Sequence, residues 1–281
     1  MKKIIAAFDG FKYSTATQDY AIALSKTTGA FLVGIFLDDD TYVTYKIYDL
    51  ATSQGTLEGN IKEAEARDMA RRNEAATMFE KACSGAGLRY TVHHDYRVAI
   101  RELKLESVYA DLLIIDSKET LSNSNEATPT RFIRDLLSDV QCPVLIVSQK
   151  YKPFEKIAIL YDGSPSSVHA VKMFDYTLPQ IRKVDTEVEI AYVSQSSKSL
   201  RLPNFKLMKE FMKRHFQKAK YIAIKGNPEE EILAYLKALP KDTLVILGAY
   251  QRGTISRWFK ESMADVLMKE LKLPLFIAHY K

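Results

Sequence analysis

The sequence predicts an α/β protein: two tandem doubly wound parallel five-stranded sheets of Rossmann-like order. Three observations carry that prediction. The chain repeats itself: Lys3-Ile4-Ile5-Ala6-Ala7-Phe8-Asp9-Gly10 opens one half and Lys156-Ile157-Ala158-Ile159-Leu160-Tyr161-Asp162-Gly163 opens the other. The halves also close alike, Cys142-Pro143-Val144-Leu145-Ile146-Val147 against Leu273-Pro274-Leu275-Phe276-Ile277-Ala278. A repeat this long is a domain duplication, since solenoid units run only to roughly 50 residues. Within each half, short apolar runs alternate with segments of helical spacing, the order of a parallel sheet with crossover helices. The apolar runs are nearly continuous, as in strands buried on both faces.

In the first half, residues 4–8 are a short apolar run ending in Asp-Gly, hence a buried strand and a turn. Residues 15–28 place Tyr20, Ala23, Leu24 and Thr27 at helical spacing, and 30–37 form the next strand. Residues 60–84 read as a highly charged helix with Met69, Ala76, Phe79 and Ala82 on its apolar side, stopped by Gly85 and Gly87. A strand at 90–93, a helix at 99–107, a strand at 111–115, a helix at 131–137 and a strand at 144–147 complete this half. The linker, 148–154, carries Pro153.

The second half repeats the order, with strands at 156–161, 187–193, 220–224, 244–247 and 275–278. Its helices are expected near 168–177, 204–217, 229–238 and 262–270. The predicted domains are therefore 1–150 and 151–281. Only the first carries an insertion, 38–60, with Tyr42, Tyr45 and Tyr48. It reads as a tolerated surface loop or as a lid or interface segment, since tyrosine suits contacts. The two last strands, 144–147 and 275–278, are apolar edges, and bare edges invite pairing.

Composition excludes several classes. Hydrophobic residues at 47% and charged residues at 27% describe an ordinary globular chain. No apolar run approaches the roughly 20 residues of a membrane span. The apolar start stops at Asp9, short of a signal-peptide core, so a cytoplasmic protein without membrane contact is expected. Cys83 and Cys142 are the two cysteines, without C-x-x-C spacing, which argues against a disulfide framework or a zinc site. His93, His94, His169, His215 and His279 show no metal spacing. The net charge of +5 is mild and spread, apart from 206–220, so no nucleic-acid partner is expected. Neither a serine-elbow nor a Walker pattern occurs.

In an open α/β sheet, ligands bind beyond the carboxyl ends of the strands, where strand order reverses. Those positions here are Asp9-Gly10, Asp162-Gly163-Ser164, Val193 at the end of a second strand, and the loop from Gly248 through Arg252 and Gly253 to Ser262 and Met263. Small residues at such a loop let backbone amides approach a phosphate, and a helix N-terminus adds its dipole.

The combination of Asp162-Gly163-Ser164-Pro165, Gly226-Asn227-Pro228, Leu244-Val245-Ile246-Leu247-Gly248 and Ser262-Met263-Ala264-Asp265 resembles the universal stress proteins, here as two UspA-type domains in tandem. The resemblance covers essentially the whole chain. It implies a stress-response module, and that the last strands of the two domains pair as an intramolecular pseudo-dimer; homodimerisation stays open. ATP-binding members resemble G-x-x-G-x9-G-S/T after the fourth strand. Gly248 and Ser262 keep that pattern, while Gln251 and Glu261 replace two glycines. In the first half Asp116 stands at the first glycine and Thr130-Arg131 at the last pair.

The expected function is a non-enzymatic module acting through protein contacts, with weak or absent nucleotide binding and no catalytic or metal-binding residues. The alternative is a regulator holding ATP or AMP, with Mg²⁺, in the second domain at Asp162, Gly163, Ser164, Val193, Gly248, Arg252, Gly253, Ser262 and Met263, with slow ATP hydrolysis as a further option. Trp258 and Phe259 lie in the same loop.

Overall fold

A computed structural model describes residues 1–9, 12–37, 57–95, 99–120, 126–181, 186–195, 200–248 and 263–278. In chain order the first half contains β1 (Lys3–Asp9), α1 (Thr15–Thr28), β2 (Phe31–Leu37), α2 (Leu57–Gly85), β3 (Tyr90–Asp95), α3 (Ala99–Val108), β4 (Leu112–Asp116), α4 (Arg131–Leu137) and β5 (Val144–Val147). The second contains β6 (Lys156–Leu160), α5 (Pro165–Thr177), β7 (Glu187–Ser194), α6 (Phe205–His215), β8 (Lys220–Lys225), α7 (Pro228–Lys237), β9 (Thr243–Gly248), α8 (Met263–Glu270) and β10 (Leu275–Ala278). A short 3-10 turn, Pro179–Ile181, follows α5.

The strands form one ten-stranded sheet in the order β3-β2-β1-β4-β5-β10-β9-β6-β7-β8. Pairing is parallel throughout except at the centre, where β5 meets β10 antiparallel, with Leu145 opposite Phe276. The last strands therefore pair, and two five-stranded units share a single sheet. Direction reverses at that seam. The carboxyl ends of the first half's strands consequently open at one edge of the sheet and those of the second half at the other.

Alternate residues of each strand feed two cores, one on each face. Ile4, Ala6 and Phe8 pack with Leu24 of α1, Phe79 of α2, Phe174 of α5 and Met212 of α6. Ile5 and Ala7 share the opposite core with Leu103 of α3, Ile133 of α4, Ile232 of α7 and Leu267 of α8. Burial on both faces explains why the strands read as continuous apolar runs. Strand β8 is an outer edge; its ends, Lys220 and Lys225, are exposed, a charge pattern that discourages further pairing.

Candidate functional site

In the second half the chain reverses between β6 and β9, so the crevice lies between the Asp162 turn and Gly248. The Ser164 amide donates to Asp162 Oδ1 at 2.9 Å, closing an Asx turn. Gly163 sits at φ 81°, and a Cβ there would lie 2.7 Å from Cβ of Pro203, so strain and space both demand glycine. Ser164 caps α5 by accepting from the Ser167 amide at 3.2 Å, and Pro165 follows at the first helical position. The Tyr161 hydroxyl donates to the Pro203 carbonyl at 2.9 Å and ties the 200–204 loop to this turn. Burial, with Asp162 and Tyr192 nearby, raises the Tyr161 pKa and keeps that donor protonated.

Gly248 ends β9, and a Cβ there would lie 2.4 Å from the carbonyl carbon and oxygen of Ser166. The first turn of α5 thus rests directly on the strand end, a packing reason for this glycine that the loop pattern does not reveal. Val193 is buried near the end of β7, and Met263 opens α8 with its side chain in the core. Arg252, Gly253 and Ser262 lie outside the described residues, as do Gln251, Glu261, Trp258 and Phe259 and most of the 38–60 insertion with its tyrosines. Asp162, Gly163, Ser164, Val193 and Gly248 do converge on one sheet edge.

Among the described residues, the matching crevice of the first half is lined by the chain's own acids. Asp9 and Glu119 are both buried, and the Asp9 amide donates to Glu119 Oε2 at 3.4 Å. Thr130 caps α4, accepting from the Ile133 amide, and its hydroxyl donates to the Glu119 carbonyl. Asp116, at the strand position matching Gly248, accepts from the Ser14 hydroxyl at 2.8 Å and from the Lys118 amide at 3.0 Å. Three carboxyl groups there oppose a phosphate by like charge. Glu119 is the residue that sequence reading missed as part of this crevice; no local pattern marks it.

Gly163 and Ser164 also border a cavity of about 440 Å³ between α5 and α6. Among the described residues no cluster of three His, Cys, Asp or Glu could hold a metal ion, and no helix is long and apolar enough to cross a membrane.

No protein-family model and no curated protein matches this sequence. Solved structures do match. A universal stress protein from Archaeoglobus fulgidus DSM 4304 superposes with a TM-score of 0.72 at 15% identity, covering 99% of this chain and 98% of its own. The fold is that of a tandem universal stress protein. A protein from Pseudomonas aeruginosa UCBPP-PA14 assigned to the universal stress proteins matches with a TM-score of 0.58 at 14% identity, over 99% of this chain and 93% of its own. The cytoplasmic domain of a prokaryotic cation chloride cotransporter also matches, with a TM-score of 0.53 at 10% identity, over 98% of this chain and 94% of its own. The tandem universal stress protein fold thus accounts for the ten-stranded order and for the position of both crevices.

Proposed function

We propose that this protein is a non-enzymatic regulatory module of the universal stress protein type, working in the cytoplasm through protein contacts, with weak or absent nucleotide binding. The observation that carries this reading is the first-half crevice, where Asp9, Asp116 and Glu119 set three carboxyl groups at the edge that would receive a phosphate. The same fold in a transporter's cytoplasmic domain agrees with a module that works by contact. The domain division at 150/151 belongs to the same proposal, each half being one unit of the pseudo-dimer.

A second reading is a regulator that takes AMP or ATP, with Mg²⁺, in the second half. It is favoured by the Asp162-Gly163-Ser164 turn at the start of α5. The buried Ser166 hydroxyl, which has no hydrogen-bond partner among the described residues, also favours it.

The test is acid release of nucleotide from purified protein, read at 260 nm, followed by calorimetric titration with AMP and with ATP with and without Mg²⁺. The contact-module reading expects no stoichiometric nucleotide and no saturable binding below about millimolar, the −4 kcal/mol level. Stoichiometric nucleotide that Asp162→Ala removes would replace it with the second reading.

A further inference from the structure

Helices α5 and α6 lie on the same face of the sheet, packed through Phe174 and Phe216 and joined at their carboxyl ends by His215 Nδ1 to Asp175 Oδ2 at 2.7 Å. At their amino ends they part around the cavity of about 440 Å³. Each helix presents a stripe of the same spacing to it. Pro165, Val168, His169 and Lys172 come from α5; Asn204, Leu207, Met208 and Phe211 come from α6 and the residue before it. Spacings of three, four and seven residues fall on one helix face, so both stripes are local consequences of sequence. At 1.5 Å per residue each stripe runs about 10 Å.

The chemistry is unevenly distributed along the cavity. Val168, Leu207, Met208 and Phe211 make an apolar wall. Leu207 is 67% exposed and stands at the mouth of the wall, accessible to a ligand. The one formal cation of the lining is Lys172, and no carboxylate among the described residues lies within ion-pair distance of it. His169, one turn away, has its pKa lowered by burial and by Lys172, so its imidazole is neutral near pH 7 and adds no second charge.

The nearby acids are engaged elsewhere. Asp162 accepts from the Ser164 amide and does not line the cavity, and Asp175 holds His215 at the far end of the helices. At the opposite end of the stripe Asn204 is held at φ 50°, a left-handed conformation uncommon outside glycine, and its side chain makes no cap bond. The walls are fixed before any ligand arrives, by Tyr161 bonded to Pro203 and by the close approach of Gly163 to Pro203. The cavity adjoins the β6/β9 crevice at Gly163 and Ser164, but Asp162, Val193 and Gly248 are not in its lining, and Lys172 and the apolar wall lie along the helices, away from the strand ends.

We propose that the α5–α6 cavity is a binding site for a small monocarboxylate with an apolar body about 10 Å long, its charge at Lys172 and its body along Val168, Leu207, Met208 and Phe211. The volume falls within the roughly 300–1,000 Å³ of small-molecule sites. A single cation suits a monoanion better than a polyphosphate. Methionine and leucine make a wall that adapts to an acyl chain.

The experiment is calorimetric titration of the full chain with decanoate and with decanol as its uncharged counterpart. Decanoate binds at one site, and decanol binds at least about tenfold more weakly, the effect of one charge contact of roughly 1.4 kcal/mol. Lys172→Gln weakens decanoate by about the same factor and leaves decanol unchanged; Leu207→Gln weakens both. Lys206→Gln, an exposed cation outside the lining, changes neither by more than about twofold, a few tenths of a kcal/mol. Excess AMP does not compete, which separates this site from any nucleotide site. Absence of saturable decanoate binding would overturn the proposal. So would equal affinity in Lys172→Gln, an equal loss in Lys206→Gln, or self-association that Leu207→Gln abolishes and decanoate does not alter.

Discussion

The Ser14 hydroxyl donates to the Asp116 carboxylate at 2.8 Å, linking the cap of α1 to the end of β4 across 102 residues of sequence. The second half has the same cap in Ser164, but glycine stands at 248, where the first half has aspartate. Here the backbone of Ser166 takes the space that a side chain would need. One half joins helix and strand by a charged hydrogen bond, the other by direct backbone contact.

Loss of the two caps should therefore differ in effect. Ser164→Ala removes one side-chain bond to an orphan amide and is expected to cost about 1 kcal/mol. Ser14→Ala removes the corresponding bond to the Thr17 amide and also the bond to Asp116, and is expected to cost about 2–3 kcal/mol. Urea denaturation of the two variants measures the difference. Equal midpoints would mean that the Ser14–Asp116 bond contributes nothing net.

Two glycines should respond to alanine with opposite sign. Gly248→Ala drives a methyl into the Ser166 backbone, which has no flexible end to yield, and is expected to destabilise by about 1–3 kcal/mol. Gly85→Ala meets open space at the end of α2 and is expected to stabilise by about 0.5–1 kcal/mol through lost chain entropy. Thermal unfolding of both proteins reads the signs directly.

Glu106 gives the protein an acid-sensitive contact. Burial pushes its pKa up, but hydrogen bonds from Lys3 Nζ at 3.0 Å and His93 Nδ1 at 2.7 Å outweigh burial, and the folded value is lowered. A lowered folded pKa contributes stability that is present above the unfolded value, about 4.5, and is lost as pH falls through the folded one. Wild type should therefore lose stability below pH 4.5 more steeply than Glu106→Gln. Parallel urea midpoints across that range would refute it.

Both thiols should be inert in the native state. Burial pushes Cys83 and Cys142 up to about 12, with Glu80 adding to the shift at Cys83. Since the thiolate is the nucleophile, a disulfide reagent at pH 8 should label neither cysteine in buffer and both in concentrated urea. Raised pKa values also mean that this part of the stability is present below the unfolded thiol range and declines as pH rises through it.

The strands were legible because the sheet is buried on both sides. Runs such as Leu112–Asp116 need little context to be read, and the repeat confirms each by its partner. The two bare edges pointed to the seam, where Leu145 now faces Phe276. Helix ends drifted where backbone conformation overrode pattern: residue 204 fits the periodicity of α6, yet its left-handed φ excludes it. Glu119 could not be placed from sequence, because its contact with Asp9 spans 110 residues and follows no spacing rule. The α5–α6 cavity did leave a signal, the same stripe in two successive helices. Periodicity alone reads such a stripe as core, and only the parting of the helices makes it a site.

Val147 leaves the ribosome long before Leu275, which begins the strand that covers the outer side of β5. At roughly 5–20 residues per second, that side of β5 stays bare for on the order of ten seconds. Nascent chains on the same messenger offer each other an identical strand, Val144–Val147, able to pair antiparallel about a twofold axis. Slow translation therefore favours exchange between neighbouring chains, and fast translation favours closure within one.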